Sequence, residues 1–242
     1  MSFNKKAHTI PSSLGGQNYN VCVCDDCNTF FGIDTKEKGY SIETVLKETF
    51  CVSRQRFLNH TETKRKVGRF KSKFFEIKER NGKYRLEIKQ SFRFTPNFQK
   101  ELCRKFKQGL IKMWFEEFDR QNNRIDAFDP KFDLIRNFSR YNIGDLPVFY
   151  FKRSFGAILM LNREAETPTL IFDKMIYLFK SEKFTEIEFL GHLLGFAISD
   201  FSNDDFNNYL RTSFRIKSYL FKEMVIIDRL TDIDFTLNIL DK

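Results

Sequence analysis

The most informative part of the sequence runs from residue 7 to residue 32 and reads AHTIPSSLGGQNYNVCVCDDCNTFFG. It predicts a short strand at 8–11 that ends at a proline, a turn at the adjacent glycines 15 and 16, and a second strand at 20–23. Cys24 and Cys27 then form a CxxC turn, or knuckle, whose two thiolates could converge on one tetrahedral zinc ion. A helix is expected from Asn28 onward, so the predicted order is strand, turn, strand, knuckle, helix.

This order resembles the HNH endonucleases, a family with a ββα-metal core of treble-clef type. The resemblance is carried by AHTIP, by the Gly-Gly turn with an asparagine after it, and by CDDCN, and it covers about the first fifth of the chain. It implies that His8 is a general base, since a neutral imidazole can take a proton from water near physiological pH. It also implies that Asn28 is a ligand of a catalytic Mg²⁺ or Mn²⁺, which would offset charge on the phosphate. Either Asn18 or Asn20 matches the orienting asparagine of the family, and their spacing does not choose between them.

Two features depart from the family pattern. Position 7 is Ala, where the family has a metal-binding Asp, Glu or His, so Asn28, water and phosphate would have to hold the catalytic ion. A second CxxC usually precedes the knuckle, and residues 1–6 contain none. A structural zinc site needs about four ligands. Either an upstream part is missing, or Cys22 or another residue joins Cys24 and Cys27, or no zinc binds.

Composition indicates a water-soluble globular protein that binds a polyanion. The 242 residues are 41% hydrophobic and 30% charged, with a net charge of +9. The basic excess lies beside the motif, because residues 1–112 hold 24 Lys and Arg against 11 Asp and Glu, whereas the remainder holds 17 against 21. We find no signal peptide and no apolar run of transmembrane length. Five cysteines, three of them close together, favour metal binding or free thiols in a reducing compartment, so a cytoplasmic protein without membrane contact is expected.

The most basic segment, residues 54–73, is the predicted DNA-binding surface, although a solvated loop would have a similar composition. Its candidate phosphate contacts are Arg54, Arg56, Lys64, Arg65, Lys66, Arg69, Lys71 and Lys73. If several of them bind phosphates, affinity should fall steeply with salt, because binding releases the counterions of the DNA.

The rest of the chain predicts an α+β fold. Ser41 is expected to cap a helix through Thr49, and residues 73–94 predict a basic β-hairpin with its turn at 81–82. A long core helix is expected over 97–120, with Cys103 in a packing role. Strands are expected at 146–151, 157–162 and 169–179. The segment 184–198 is ambiguous, with His192 read as structural, and 215–230 fits either a strand or a helix.

We therefore expect a small N-terminal ββα-metal (treble-clef-like) unit, then the basic hairpin, the long helix and a mixed α+β C-terminal domain. The corresponding segments are 1–50 for the HNH-like motif, 51–95 for a basic linker and the hairpin, and 96–242 for an α+β domain of unknown role, which includes the long helix. Three functions remain open at this stage. The first is a metal-dependent HNH nuclease that cuts DNA, and the second is a nucleic-acid-binding protein that keeps the scaffold but has lost cleavage. The third is a structural or interaction protein in which the CxxC is incidental.

Overall fold

The computed structural model describes residues 1–34, 39–57, 72–80, 83–90, 95–122, 125–153, 168–172, 175, 177–217 and 220–235. It contains both helices and strands, which confirms the α+β class. Within the described ranges no helix combines the length and the apolar character needed to cross a membrane.

The N-terminal motif follows the predicted order of elements. Strand β1 (Ala7–His8) pairs antiparallel with β2 (Tyr19–Asn20), and helix α1 (Asp25–Gly32) follows. A single 3-10 turn over Ser12–Leu14 joins the strands and ends at Gly15, whose φ of 95° favours glycine. A Cβ on Gly16 would lie 1.9 Å from the carbonyl oxygen of Ile10, so the second glycine is required by close packing of the backbone.

The boundaries of all three elements of the motif differ from the prediction. The first strand was expected at 8–11, but β1 covers Ala7–His8. The second strand was expected at 20–23, but it ends at Asn20 because the Asn20 Oδ1 atom accepts a hydrogen bond from the Cys22 N–H at 2.7 Å and turns the chain. The helix was expected to begin at Asn28 and continue past Ile33. It begins at Asp25 and ends at Gly32, and the carboxylates of Asp25 and Asp26 in its first turn suit the positive end of the helix dipole.

In the middle of the chain the expected capped helix and hairpin are present, and a further helix, within the segment expected to be a basic linker, was not predicted. Helix α2 (Ile42–Thr49) is capped by Ser41, whose hydroxyl accepts from the Thr44 N–H at 3.2 Å, and helix α3 (Cys51–Phe57) follows. The hairpin is present as β3 (Phe75–Arg80) and β4 (Lys83–Ile88). Arg80 pairs with Lys83, which leaves a two-residue connection at 81–82, outside the described residues.

The long helix α4 (Pro96–Gln121) begins at a Thr95 cap with proline in its first turn. The predicted apolar stripe faces the core, and Cys103 is buried within it, as expected. A 3-10 turn (Pro130–Phe132) leads into helix α5 (Asp133–Tyr141), which packs beside α4.

The C-terminal part is a five-stranded antiparallel sheet. Its strands are β5 (Val148–Arg153), β6 (Leu170–Ile171), β7 (Phe184–Phe189), β8 (His192–Ala197) and β9 (Phe221–Ile226), in the order β6-β7-β8-β5-β9. The ambiguous segment 184–198 is the β7–β8 hairpin, whose turn uses Leu190 and Gly191 at φ values of 47° and 82°.

Three predictions for this part need comment. The strand expected at 157–162 lies outside the described residues. The strand expected at 169–179 is reduced to Leu170–Ile171 within its described part. The segment 215–230 contains both the end of a helix, α6 (Asn203–Lys217), and β9. The sequence analysis missed α6 because its apolar residues are few among polar ones.

One connected cluster of buried apolar side chains joins these parts. It includes Leu14 from the motif, Phe74 from the approach to the hairpin, Trp114 from α4, and Phe149 and Phe184 from the sheet. Side chains from all three predicted segments, 1–50, 51–95 and 96–242, therefore contribute to the same core. The division of the chain into these three segments stays a prediction.

Candidate functional site

Helix α4 supports the strand that carries His8. The buried Lys112 ammonium donates to the His8 carbonyl oxygen at 3.0 Å. The hydroxyl of the neighbouring Thr9, also buried, donates to a carboxylate oxygen of Glu117. The His8 ring is half-buried and meets the Tyr19 ring edge-on, with 6.4 Å between the centroids. The backbone of His8 is therefore fixed by the hydrogen bond from α4, while its half-buried imidazole lies near the surface.

The structure separates the two asparagines that spacing left equivalent. Asn20 is buried, and its amide nitrogen donates to Asp119 Oδ2 at 2.6 Å while its amide oxygen holds the turn at Cys22. Asn18 is exposed, and its backbone carbonyl accepts from the Thr9 N–H at 3.1 Å. Asn20 is thus the residue whose side chain fixes the geometry of the motif.

Asn28 lies in the first turn of α1 and faces the chain just ahead of His8. Its amide nitrogen donates to the Lys6 carbonyl oxygen at 3.4 Å, and its backbone N–H donates to the Cys24 carbonyl at 3.0 Å. The first turn of the helix is thereby tied to the segment that enters β1. Because the contact with Lys6 uses the amide nitrogen, Oδ1 is the Asn28 atom that could bind a cation.

The knuckle places two thiols together at the start of α1. Cys24 immediately precedes the helix and is buried, and Cys27 lies one turn further and is partly exposed. The backbone N–H of Cys27 beside the Cys24 sulfur lowers the pKa of that thiol. Burial raises the pKa of Cys27, whose sulfur also accepts from Arg140 Nε at 3.3 Å.

The residues of the motif fit the two expected metals unequally. Within the described residues, no group of three or more His, Cys, Asp and Glu side chains could hold a metal ion. Cys22 is exposed and does not complete a zinc site with Cys24 and Cys27, so two thiols stand where about four ligands are needed. Mg²⁺ and Mn²⁺ require less of the protein, since Mg²⁺ usually keeps several waters. Asn28 Oδ1 fits such an ion, whereas the methyl group of the buried Ala7 offers it no ligand.

The structure describes only some of the predicted DNA-binding residues, and it corrects the prediction for Arg54. Its side chain is buried and donates to the Leu14 carbonyl oxygen at 2.7 Å, so it supports the turn of the motif and does not face phosphates. Lys73 is exposed and pairs with Asp34 at 2.6 Å. The side chain of Arg56 lies outside the described residues, as do Lys64, Arg65, Lys66, Arg69 and Lys71. Their role stays a prediction.

Sequence reasoning missed the charged side chains of α4 beneath the motif. Lys112 and Glu116 are one turn apart and form a buried ion pair at 3.0 Å. Burial raises the pKa of Glu116 to about 7, against the opposing charge of Lys112. Glu117 and Asp119 complete this polar face. The sequence signal for this polar face was the set of charged residues between the apolar positions of α4. A helix that only packs against an apolar core does not need them.

A cavity of about 280 Å³ opens between the motif and the helices α4 and α5. Apolar side chains such as Phe31, Phe115 and Ile135 contribute much of its wall. Cys24, Cys27 and Arg140 also line it, so the thiol pair borders an open space.

Comparison with protein-family models, with curated proteins and with solved structures gave no match in any of the three.

Proposed function

We propose that this chain is an HNH-type endonuclease that hydrolyses DNA phosphodiester bonds. The observation that carries the proposal is the contact between the Asn28 amide and the Lys6 carbonyl, two residues before His8. This contact puts the first turn of α1 against the strand of the candidate base, within the strand, turn, strand and helix order. A base and a metal-binding amide on adjoining elements are what metal-assisted hydrolysis of a phosphodiester requires.

Each residue of the motif has a distinct role in this proposal. His8 accepts the proton of the attacking water. The hydrogen bond from Lys112 to the His8 carbonyl oxygen fixes the backbone from which the imidazole extends. Asn20 orients the turn between β2 and the knuckle through Cys22 and Asp119. Asn28 Oδ1 would hold Mg²⁺ or Mn²⁺, which when bound offsets charge on the phosphate and on the leaving oxygen.

The charge of the chain supports a nucleic-acid substrate. The basic excess of residues 1–112 attracts phosphates, and the lysines and arginines of 56–71 are the proposed contacts. Arg54 is not among them, because it is buried under the motif.

A second candidate function is a DNA-binding protein that retains this scaffold without cutting. Ala7 favours it, since the residue is fully buried in β1 and pairs with Asn20, so the usual metal ligand is replaced by a packed methyl group. Among the described residues, no group of three or more His, Cys, Asp and Glu side chains could hold a metal ion, which agrees with this alternative.

Plasmid cleavage in Mg²⁺ or Mn²⁺ tests the two proposals together. For a nuclease we expect cleavage by the wild type and loss of at least about 100-fold in His8→Ala, while DNA binding is retained. Asp204→Asn, on the exposed start of α6 and purified in parallel, should cut like the wild type. Binding that weakens steeply with salt, without cleavage by the wild type in either metal, would support the second candidate. The absence of any salt-dependent DNA binding would contradict both.

A further inference from the structure

The two thiols of the knuckle form a cluster that the proposed hydrolysis does not use. We propose that Cys24 and Cys27 are a dithiol–disulfide pair that exchanges with small organic disulfides such as oxidised glutathione. This assignment replaces the zinc expectation for the same residues, and it does not rest on the proposed nuclease activity.

The first argument is the arrangement of the two sulfur atoms. Cys24 lies immediately before α1 and Cys27 lies in its first turn, and both line the same cavity. Residues at this spacing can be joined by a disulfide across one helical turn without unfolding the helix. The Arg140 guanidinium, which also lines the cavity, donates to the Cys27 sulfur at 3.3 Å.

The second argument is what surrounds the pair. No third His, Cys, Asp or Glu among the described residues joins the two thiols in a metal-binding group. The pair also borders the 280 Å³ cavity, through which a small disulfide could reach it.

The other cysteines make the site selective. Cys51 and Cys103 are almost fully buried, and burial raises the pKa of each to about 12, which keeps them as unreactive thiols. Cys22 is exposed and lines the same cavity, but it lies outside the start of α1 that holds Cys24 and Cys27. Cys24 and Cys27 are therefore the two described thiols that share one helical turn beside the cavity.

The exchange balances in two steps. One thiolate of the pair attacks a sulfur of the small disulfide, which forms a mixed disulfide and releases one small thiolate. The second thiolate then attacks the protein sulfur of the mixed disulfide, which closes the Cys24–Cys27 bond and releases the second small thiolate. The two protons of the protein thiols end on the released small thiols. The protein loses two electrons, and the small disulfide gains them.

The experiment equilibrates the full chain in buffers of graded reduced and oxidised glutathione, followed by acid quenching, alkylation and peptide mass spectrometry. We expect the peptide that contains Cys24 and Cys27 to lose both alkylation sites together as oxidised glutathione rises, and to become two hydrogens lighter. Cys24→Ser and Cys27→Ser should instead retain one glutathione on the remaining thiol. Cys22→Ser is the matched control and should behave as the wild type.

Three outcomes would overturn the proposal. They are full alkylation of both thiols across the whole range, loss of the disulfide in Cys22→Ser, and about one zinc per chain in elemental analysis with both thiols protected. His8→Ala should form the same disulfide as the wild type. A failure of the nuclease proposal is thereby distinguished from a failure of this one.

Discussion

The N-terminal motif and the five-stranded sheet both pack on α4, but by contacts of different kinds. On the motif side, α4 presents Lys112, Glu117 and Asp119, which bond to the motif through fixed donors and acceptors. On the sheet side the contacts are aromatic, such as Trp114 against Phe196 with 5.8 Å between the ring centroids. Hydrogen bonds are directional, so they fix the positions of the candidate residues. Burial of apolar side chains stabilises the fold but depends little on their orientation.

The two sides should therefore respond differently to mutation and to pH. Removing an aromatic side chain from the sheet leaves a cavity, and its cost scales with the lost volume. Removing one partner from the motif side leaves a buried polar group without its bond, and the cost is that of desolvation. Only ionisable groups make either side sensitive to pH.

The largest effect is expected from Phe184→Ala in β7. Phe184 is buried and stacks on Tyr209, with 4.4 Å between the ring centroids and 5° between the planes. We expect a loss of about 3–5 kcal/mol in the free energy of unfolding, measured by chemical denaturation. The matched control is Phe214→Ala, in α6, where the side chain is 46% exposed and a loss below about 1 kcal/mol is expected. Similar losses in both variants would contradict the role given to aromatic packing.

An intermediate effect is expected from the pH dependence of Glu116. Its usual pKa of 4.5 is raised to about 7 in the folded chain by burial. Between these values the folded state binds more protons than the unfolded state, so this contribution is complete below pH 4.5 and is lost as the pH rises through 7. The loss between pH 5 and pH 8 is at most about 3 kcal/mol.

Glu116→Gln isolates this contribution, because it keeps the shape and removes the titration. The difference in unfolding free energy between wild type and variant should fall as the pH rises from 5 to 8. His192, whose burial lowers its pKa to about 3, acts with the opposite sign in both proteins and cancels. Parallel pH profiles for wild type and variant would show that Glu116 does not titrate in this window.

The smallest effect is expected from Asn20→Ala on the motif side. The change removes the bonds to Asp119 and to the Cys22 N–H, and we expect a loss of about 1–2 kcal/mol. Asn18→Ala should change stability by less than about 0.5 kcal/mol, since that side chain is exposed. Thermal and denaturant unfolding of both variants provides the measurement. A larger loss in Asn18→Ala would reverse the assignment of the orienting asparagine.

Local patterns were enough to predict much of the fold. The Ser41 cap, the long helix with its apolar stripe, and the alternation that formed β3 and β4 each depend on residues near one another in sequence. The β7–β8 hairpin was ambiguous because both strands are buried on both faces, so they lack the alternation that marks a half-exposed strand. Helix α6 was missed because its pattern is mostly polar.

The candidate site could be predicted only as a set of residue types. His8 and Asn28 were predicted from the resemblance to the HNH family and the cysteines from their spacing, but the choice of Asn20 over Asn18 depends on Asp119, which lies far away in sequence. The burial of Arg54 likewise depends on its hydrogen bond to the Leu14 carbonyl oxygen, which cannot be predicted by counting charged residues. Partners brought together by the tertiary fold leave no local pattern, which explains why the supporting face of α4 was not foreseen.

The distance between the motif and its supports has a consequence for synthesis of the chain. Thr9 and Asn20 bond to residues 108 and 99 positions later. Since a ribosome releases the N-terminal part first, β1, β2 and α1 emerge well before Glu117 and Asp119 exist. The residues proposed to carry out the chemistry are thus made before the side chains that hold them in place. A nascent chain that stops before residue 117 would contain the whole motif without the carboxylates that hold it.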